Sequence, residues 1–487
     1  MHSEINTLKD LKDSGYVSLD IKDEMIKNLK NNLSNGVSTF DGIHGYDDSV
    51  IPDLERAILS KHNINLLGLR GQAKTRLARQ LTNLLDEWIP IVKGSEINDD
   101  PFNPISHFAK NKILELGDAT PIDWVSRNDR FFEKLATPDV TVADLIGDID
   151  PIKAATLKLS YSDPSVIHFG MIPRANRCIF VINELPDLQA RIQVSLFSIL
   201  EEKEIQIRGF KLRIPLDLQF IFTANPEDYT NRGSIVTPLK DRIGSQIITH
   251  YPHTLGIAKK ITSQESDVKA SNIYVPELAS DLIEEINFAA RKSEFVDFKS
   301  GVSARMSITA FENLVSTAKR RMLINGEKES SIRLSDFSGI IPAINGKIEL
   351  VYEGEEQGAD QISFNLINEG VKTIFLKYFP EISKLEKPNE VTPYDGILSW
   401  FIENNNELFI GDDFTDSEYR NAIDAMKPLD NLIKKYCKNI DRADHYFIKE
   451  VLLWGLSSFK KLSKNRIQDG IEFKDSLGTY LRNLNSD

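Results

Sequence analysis

The stretch from Ile64 to Trp88 constrains the fold more than any other part of the chain. Ile64-Asn65-Leu66-Leu67 is a short apolar run stopped by Gly68, the pattern of a buried parallel strand. Gly68-Leu69-Arg70-Gly71-Gln72-Ala73-Lys74-Thr75 follows, and Leu77, Leu81, Leu84 and Leu85 then recur at helical spacing as far as Trp88. Small residues let successive backbone N–H groups curl around a phosphate. A lysine neutralises the β- and γ-phosphates, and a hydroxyl helps hold Mg²⁺. The helix that follows turns its positive end towards the same anion. Gly68, Gly71, Gln72, Ala73, Lys74 and Thr75 are therefore the expected binding loop, with Thr75 also a metal contact. Ala73 stands where glycine is usual, which constrains the loop without removing a donor.

Two further apolar runs extend this pattern. Cys178–Ile182 ends in Asn183-Glu184, and Leu218–Ala224 ends in Asn225-Pro226. Residues 188–202 read as a helix, and Glu204–Ile207 with Lys211–Ile214 read as a hairpin around Gly209. Residues 93–135 read as loop-rich, with Asp99, Asp100, Pro101 and Pro104 as breakers. Strands alternating with helices predict an α/β fold whose parallel sheet is covered on both faces. The ligand then lies at the carboxyl ends of the strands. From about residue 256 the pattern turns helical, clearest at Val275–Arg291 and Ser307–Ile324. Tyr446–Leu462 and Ile471–Leu484 read as the last helices.

At 487 residues the chain exceeds one ordinary core and implies two or three domains. No run approaches the roughly 20 apolar residues of a membrane helix, and the charged start MHSEINTLKDLKDSG lacks a signal-peptide core, which points to the cytoplasm. Cys178 and Cys437 make neither a disulfide framework nor a zinc spacing, and no His-Glu-x-x-His occurs. The net charge of −13 argues against a nucleic-acid partner, whose phosphates call for a basic face. Arg208, Lys211 and Arg213 on the hairpin are the only candidates for a basic pore.

Five more residues complete a chemical set. Glu184, at a strand end, can polarise a water, whereas Asn183 offers the metal shell a carbonyl oxygen and no charge, which predicts weak Mg²⁺ binding and slow turnover. Asn225 can orient that water. Arg242, within Leu239-Lys240-Asp241-Arg242-Ile243, can reach a neighbour's γ-phosphate. Arg305 precedes a predicted helix in Gly301–Ser307.

With these elements in order, the chain resembles the AAA+ ATPases of the MoxR and magnesium-chelatase ATPase-subunit branch. GMIPRANRCIFVINELPDLQARIQVSLFSILEEKEIQIRG is similar to that branch's Walker B, helix and pre-sensor hairpin. FIFTANPEDYTNRGSIVTPLKDRIG is similar to its sensor 1 and arginine-finger segment, and SGVSARMSITAFENL to its sensor 2 helix. LATPDVTVADLIGDIDPIKA stands where the branch carries its helix-2 insert. The resemblance implies ATP and Mg²⁺ as cofactors, Lys74 and Thr75 as Walker A, and Glu184 as catalytic base. It also implies Asn225 as sensor 1, Arg242 as arginine finger and Arg305 as sensor 2. The domains it implies are an N-terminal helical extension (1–45), an AAA+ αβ core (46–255), a helical lid (256–350) and a mostly helical C-terminal region (351–487). It further implies a homo-hexameric ring that remodels a partner with a metal-binding von Willebrand A domain. Three readings stay open: an active motor, a nucleotide-gated scaffold with little hydrolysis because of Asn183, and a tetrapyrrole metal chelatase motor. The absence of a Gly-Ala-Phe-Thr-Gly-Ala loop argues against an enhancer-type transcription activator.

Overall fold

The computed structural model describes residues 5–160, 163–207, 213–226, 234–268, 272–382, 392–403, 406–438, 440–441, 444–467 and 469–475. The chain divides into two compact units, Met1–His250 and Tyr251–Asp487.

Five strands form the parallel sheet of the first unit: β1 (Ile64–Leu67), β2 (Phe131–Leu135), β3 (Cys178–Asn183), β4 (Leu218–Ala224) and β5 (Ser245–Ile248). Their spatial order is β5-β1-β4-β3-β2. The register places Leu67 opposite Ala224, Phe222 opposite Ile182, and Leu135 opposite Asn183. All the strands therefore end at one level, and the residues that follow them share one rim.

Alternate side chains of these runs feed two different cores. Ile64, Leu66, Ile179, Val181, Ile221 and Ile247 pack with helices α1 (Ile21–Asn35), α2 (Val50–Leu59) and α3 (Lys74–Gln80). Phe180, Ile182, Phe220 and Phe222 pack on the other face with Ile192, Leu196 and Ile199. Burial on both faces is why β3 and β4 read as unbroken apolar runs rather than alternating ones.

Helix α1, which the sequence placed in a separate extension, contributes Ile21, Met25 and Leu29 to the same core as the sheet. Its Glu24 makes a two-pronged ion pair with Arg130, both bonds 2.7 Å long, with the side chains 4% and 1% exposed. Arg130 also donates to the Arg177 carbonyl at 2.9 Å, and Glu24 accepts the Asp86 amide at 2.5 Å. At the start of α1 the Ile21 amide donates to the Asp217 carboxylate at 2.7 Å. Burial nonetheless pushes the Asp217 carboxyl up to about 6.

Several local expectations are corrected. Helix α3 stops at Gln80, a 3₁₀ turn covers Leu81–Leu84, and Trp88 begins a strand, Trp88–Val92. That strand pairs antiparallel with Ile122–Ser126 inside the stretch expected to be loop. The same stretch holds a helix, His107–Leu116, and β2. Buried Asp99 organises the connection by accepting the amides of Ile105 and Ser106, each at 2.8 Å. The expected insert forms a short helix, Val142–Leu145, and the pair Gly147–Ile149 with Ile167–Phe169. The helix expected at 188–202 is two, Ala190–Ser195 and α4 (Phe197–Glu201). The hairpin's outer strands are Glu204–Gln206 and Arg213–Pro215, while Arg208, Gly209 and Lys211 lie outside the described residues. Helix α5 (Thr237–Arg242) closes the unit before β5.

The second unit is built on α6 (Glu277–Lys292), α7 (Arg305–Ile324), α8 (Ala359–Tyr378) and α9 (His445–Ser458). Its core is one continuous cluster running from Ile273 to Phe473, so residues 256–350 and 351–487 share a single interior. Gly455 lets α9 close onto α8, because a Cβ there would meet Phe375 at 2.1 Å. A small antiparallel sheet, β6 (Leu408–Gly411), β7 (Leu462–Ile467) and β8 (Gly470–Asp475), is ordered β6-β8-β7. Residues 470–475 are thus strand where a helix from Ile471 was expected, and 476–484 lie outside the described residues. Ile471 and Phe473 alternate into the core between Gly470, Glu472 and Lys474, a period of two that the longer helical pattern hid. Among the described residues no helix is long and apolar enough to cross a membrane.

Candidate functional site

The rim of the sheet gathers the residues expected from the sequence. The loop after β1 turns at Gly71, whose φ of 71° is left-handed. Gly68 sits hard against Thr249 and Gln72: a Cβ there would lie 2.0 Å from Thr249 Oγ1 and 2.2 Å from Gln72 Oε1. Any side chain at position 68 would displace the Thr249 and Gln72 side chains. Gln72 itself is tied down, with its Oε1 accepting the Thr249 hydroxyl at 2.7 Å. Its carbonyl lies 3.0 Å from the Tyr46 hydroxyl, which also lies 2.8 Å from the His250 carbonyl. What Gln72 can offer a ligand is therefore its backbone N–H. Thr75, one residue into α3, is exposed.

Ala73 takes a φ of 56° in the left-handed region, which costs a residue with a Cβ about 1–2 kcal/mol. Ala73→Gly is accordingly expected to raise the unfolding free energy of the first unit by about 1 kcal/mol in a denaturant titration. A loss of stability would show that the Ala73 methyl makes contacts worth more than this strain.

Lys74 points back into the loop. Its ammonium donates to the Gly68 carbonyl, to the Leu69 carbonyl at 3.0 Å, and to Asn225 Oδ1 at 2.7 Å, with the residue only 8% exposed. Asn225 in turn donates from Nδ2 to Glu184 Oε2 at 2.8 Å. One amide, 6% exposed, thus links the cation and the carboxylate, accepting from the first and donating to the second. This convergence follows from the register, since Gly68, Asn225 and Glu184 each follow the end of a parallel strand. The Glu184 backbone is left-handed, at φ 54° and ψ 50°, a conformation that non-glycine residues hold only where the surroundings impose it. Its amide donates to Thr223 Oγ1 at 3.2 Å.

Asn183 lies at the same rim, with its amide fixed at both ends. Oδ1 accepts the Thr223 hydroxyl at 3.0 Å and Nδ2 donates to Glu133 Oε1 at 2.5 Å. Glu133 Oε2 pairs with Arg79 Nη2 at 2.9 Å. Neither Thr223 nor Glu133 was singled out from the sequence. Thr223 was nevertheless a hydroxyl in an otherwise apolar run, and Glu133 a carboxylate in the strand-like Phe131-Phe132-Glu133-Lys134-Leu135.

Arg242 is not part of this cluster, and Arg305 belongs to the second unit. Arg242 donates from Nε and Nη2 to Glu201 Oε2 at 2.8 and 2.7 Å, and from Nη1 to the Pro238 carbonyl at 2.8 Å. Its guanidinium lies over the Phe197 ring at 5.0 Å. Arg305 opens α7 in the second unit, with its side chain exposed and its amide donating to Ser303 Oγ at 3.1 Å. Arg213 of the hairpin pairs with Glu202 at 3.4 Å and Glu204 at 3.6 Å, so its charge is answered locally.

The donor set suits a nucleoside triphosphate with Mg²⁺: a buried ammonium beside a glycine turn, a hydroxyl at the loop's end, and a carboxylate braced by an amide. Among the described residues no group of three or more His, Cys, Asp or Glu could hold a metal by itself. A Mg²⁺ ion bound here would be held through Thr75 and Asn183 together with oxygens of the nucleotide.

Residues 118–243 match the AAA domain of the dynein-related subfamily. The match takes in Asn183, Glu184, Asn225 and Arg242 and begins after the Gly68–Thr75 loop, which the strand register brings to the same rim. The first unit has the AAA+ fold. No curated protein matches the sequence. Similar solved structures include a candidate ATPase from Cytophaga hutchinsonii, at 17% identity over 71% of this chain and 96% of that one, with a TM-score of 0.30. Another is a complex of the magnesium chelatase subunits BchI and BchD, at 17% identity over 66% and 98%, with a TM-score of 0.34. A RuvB variant from Thermotoga maritima aligns at 13% identity over 91% and 97%, with a TM-score of 0.35. At such scores these superpositions add nothing to what the strand order already establishes.

Proposed function

We propose that this protein binds MgATP at the β1–β4–β3 rim and hydrolyses it as a ring-forming AAA+ motor. The supporting observation is the Lys74–Asn225–Glu184 chain, which joins a phosphate-binding cation to a water-activating carboxylate through one amide. Bound Mg²⁺ would neutralise charge on the β- and γ-phosphates during transfer. Lys74 and the backbone of Gly71–Thr75 hold the phosphate chain, and the Thr75 hydroxyl and Asn183 carbonyl supply oxygens for the metal shell. Glu184 accepts the proton of the attacking water, and Asn225 fixes the carboxylate's orientation. General-base assistance of this kind contributes roughly 10²–10⁴-fold.

Arg242 has its contacts on Glu201, Pro238 and Phe197, away from Lys74 in its own subunit. We assign it to the neighbouring subunit's site, which makes a homo-oligomeric ring, a hexamer on the resemblance, the working form. Arg305 is the sensor 2 candidate. The client is proposed to be a protein with a von Willebrand A domain, as in the MoxR and magnesium-chelatase branch. A scaffold with little turnover is the second reading, favoured by the uncharged Asn183.

The test is complementation. Arg242→Ala is expected to lower hydrolysis at least 10²-fold while leaving ATP affinity unchanged, since a finger acts on transfer. The lost Glu201 pair is partly solvated, with side chains 28% and 60% exposed, so a thermal melt of the variant checks that its fold is kept. Mixing Arg242→Ala with Lys74→Ala subunits restores activity if the finger acts in trans. Undiminished hydrolysis by Arg242→Ala alone would refute the assignment.

A further inference from the structure

We propose that Glu133 supplies the negative charge that Asn183 lacks at the Mg²⁺ shell, acting through the Asn183 amide as a positioning residue. The inference rests on the nucleotide reading above and concerns how this chain manages without an aspartate at position 183.

Position comes from the sheet. Phe131, Glu133 and Leu135 alternate onto one face of β2, and Phe131 packs with the cluster that holds Val181 and α3. Ile179 and Val181 lie on that same face of β3, so Asn183 shares it. Thr75 and Arg79, four residues apart, share one side of α3. Arg79 meets Glu133 at 2.9 Å and covers the Phe131 ring at 4.6 Å. Glu133 stands two residues, about 6.6 Å, below the level of Leu135 and Asn183. Arg79 stands four residues, about 6 Å, below Thr75. The two offsets match. Arg79 therefore faces Glu133, and the matching offset puts Thr75 near the level of Asn183.

The hydrogen bonds then define what Glu133 does. An isolated asparagine amide can turn either end to a metal. Here the Glu133 carboxylate accepts Nδ2–H at 2.5 Å and the Thr223 hydroxyl donates to Oδ1 at 3.0 Å. The carboxylate thus fixes the oxygen, not the nitrogen, on the side away from β2. A charge-assisted bond to Nδ2 also draws electron density onto Oδ1. The Arg79 side chain is 63% exposed, so its pairing with Glu133 is screened and leaves much of the carboxylate's field in place.

The test titrates Mg²⁺ against binding of a fluorescent ATP analogue to the full chain. Glu133→Gln is expected to raise the Mg²⁺ concentration for half-maximal tight binding about tenfold, the scale of one charge-assisted hydrogen bond. Affinity in EDTA and the thermal midpoint should stay at wild-type values. Asn183→Asp/Glu133→Gln moves the charge one position while keeping a hydrogen bond between the two side chains, and it is expected to bring the midpoint back. An unmoved midpoint in Glu133→Gln, or a double variant no better than Glu133→Gln, would overturn the proposal. A wild-type chain that binds no nucleotide at any Mg²⁺ concentration would remove the nucleotide reading itself, and the proposal with it.

Discussion

Lys74→Ala is expected to lose at least 10²-fold in ATP affinity, measured by calorimetry. Hydrogen bonds to a charged group contribute about 1.5–3 kcal/mol each, and every 1.4 kcal/mol is tenfold in affinity. The ammonium's present partners, the Gly68 and Leu69 carbonyls and Asn225 Oδ1, show that its reach covers the whole mouth of the loop. The substitution also leaves buried Asn225 Oδ1 without its donor, so Lys74→Arg serves as a companion with the charge kept. If Lys74→Ala binds ATP as tightly as wild type, the loop is not the phosphate site.

Glu184→Gln is expected to bind ATP normally and to hydrolyse it roughly 10²–10⁴-fold more slowly, the usual contribution of a positioned base. The glutamine carbonyl can still accept the Asn225 amide now found at 2.8 Å, so the site keeps its shape while losing its base. Single-turnover hydrolysis of labelled ATP measures this directly. Equal rates in variant and wild type would place the base elsewhere and dissolve the mechanism proposed here. With turnover blocked, the proposed ring would accumulate in its ATP-bound form and offer a means of isolating the proposed client.

The elements legible in the sequence are those whose information is local. β1, its loop, β3 and β4 read correctly because a strand buried on both faces is an apolar run with a sharp end. The meeting of Lys74, Asn225 and Glu184 was legible only as a resemblance, since it depends on strand register that joins residues 151 and 41 positions apart in the chain. β2 was missed because an edge strand carrying Glu133 and Lys134 has too little apolar signal beside its breakers. The Arg242–Glu201 pair and the Glu24–Arg130 clamp join separate helices and strands, and no spacing rule announces them. The strand at Gly470–Asp475 was hidden because Ile471 and Phe473 also suit a helical stripe when the following leucines are counted.

One interior runs from Ile273 to Phe473, so the second unit is expected to move and to melt as one body. A helical cap with its own core could tilt by itself. Here α6 and α7 are welded through α8 and α9 to the small sheet, so the helices that begin the unit cannot rotate without taking the far end along. The C-terminal half is therefore bound into the same body as the helices that begin the unit, and a substitution in either is expected to be felt by both.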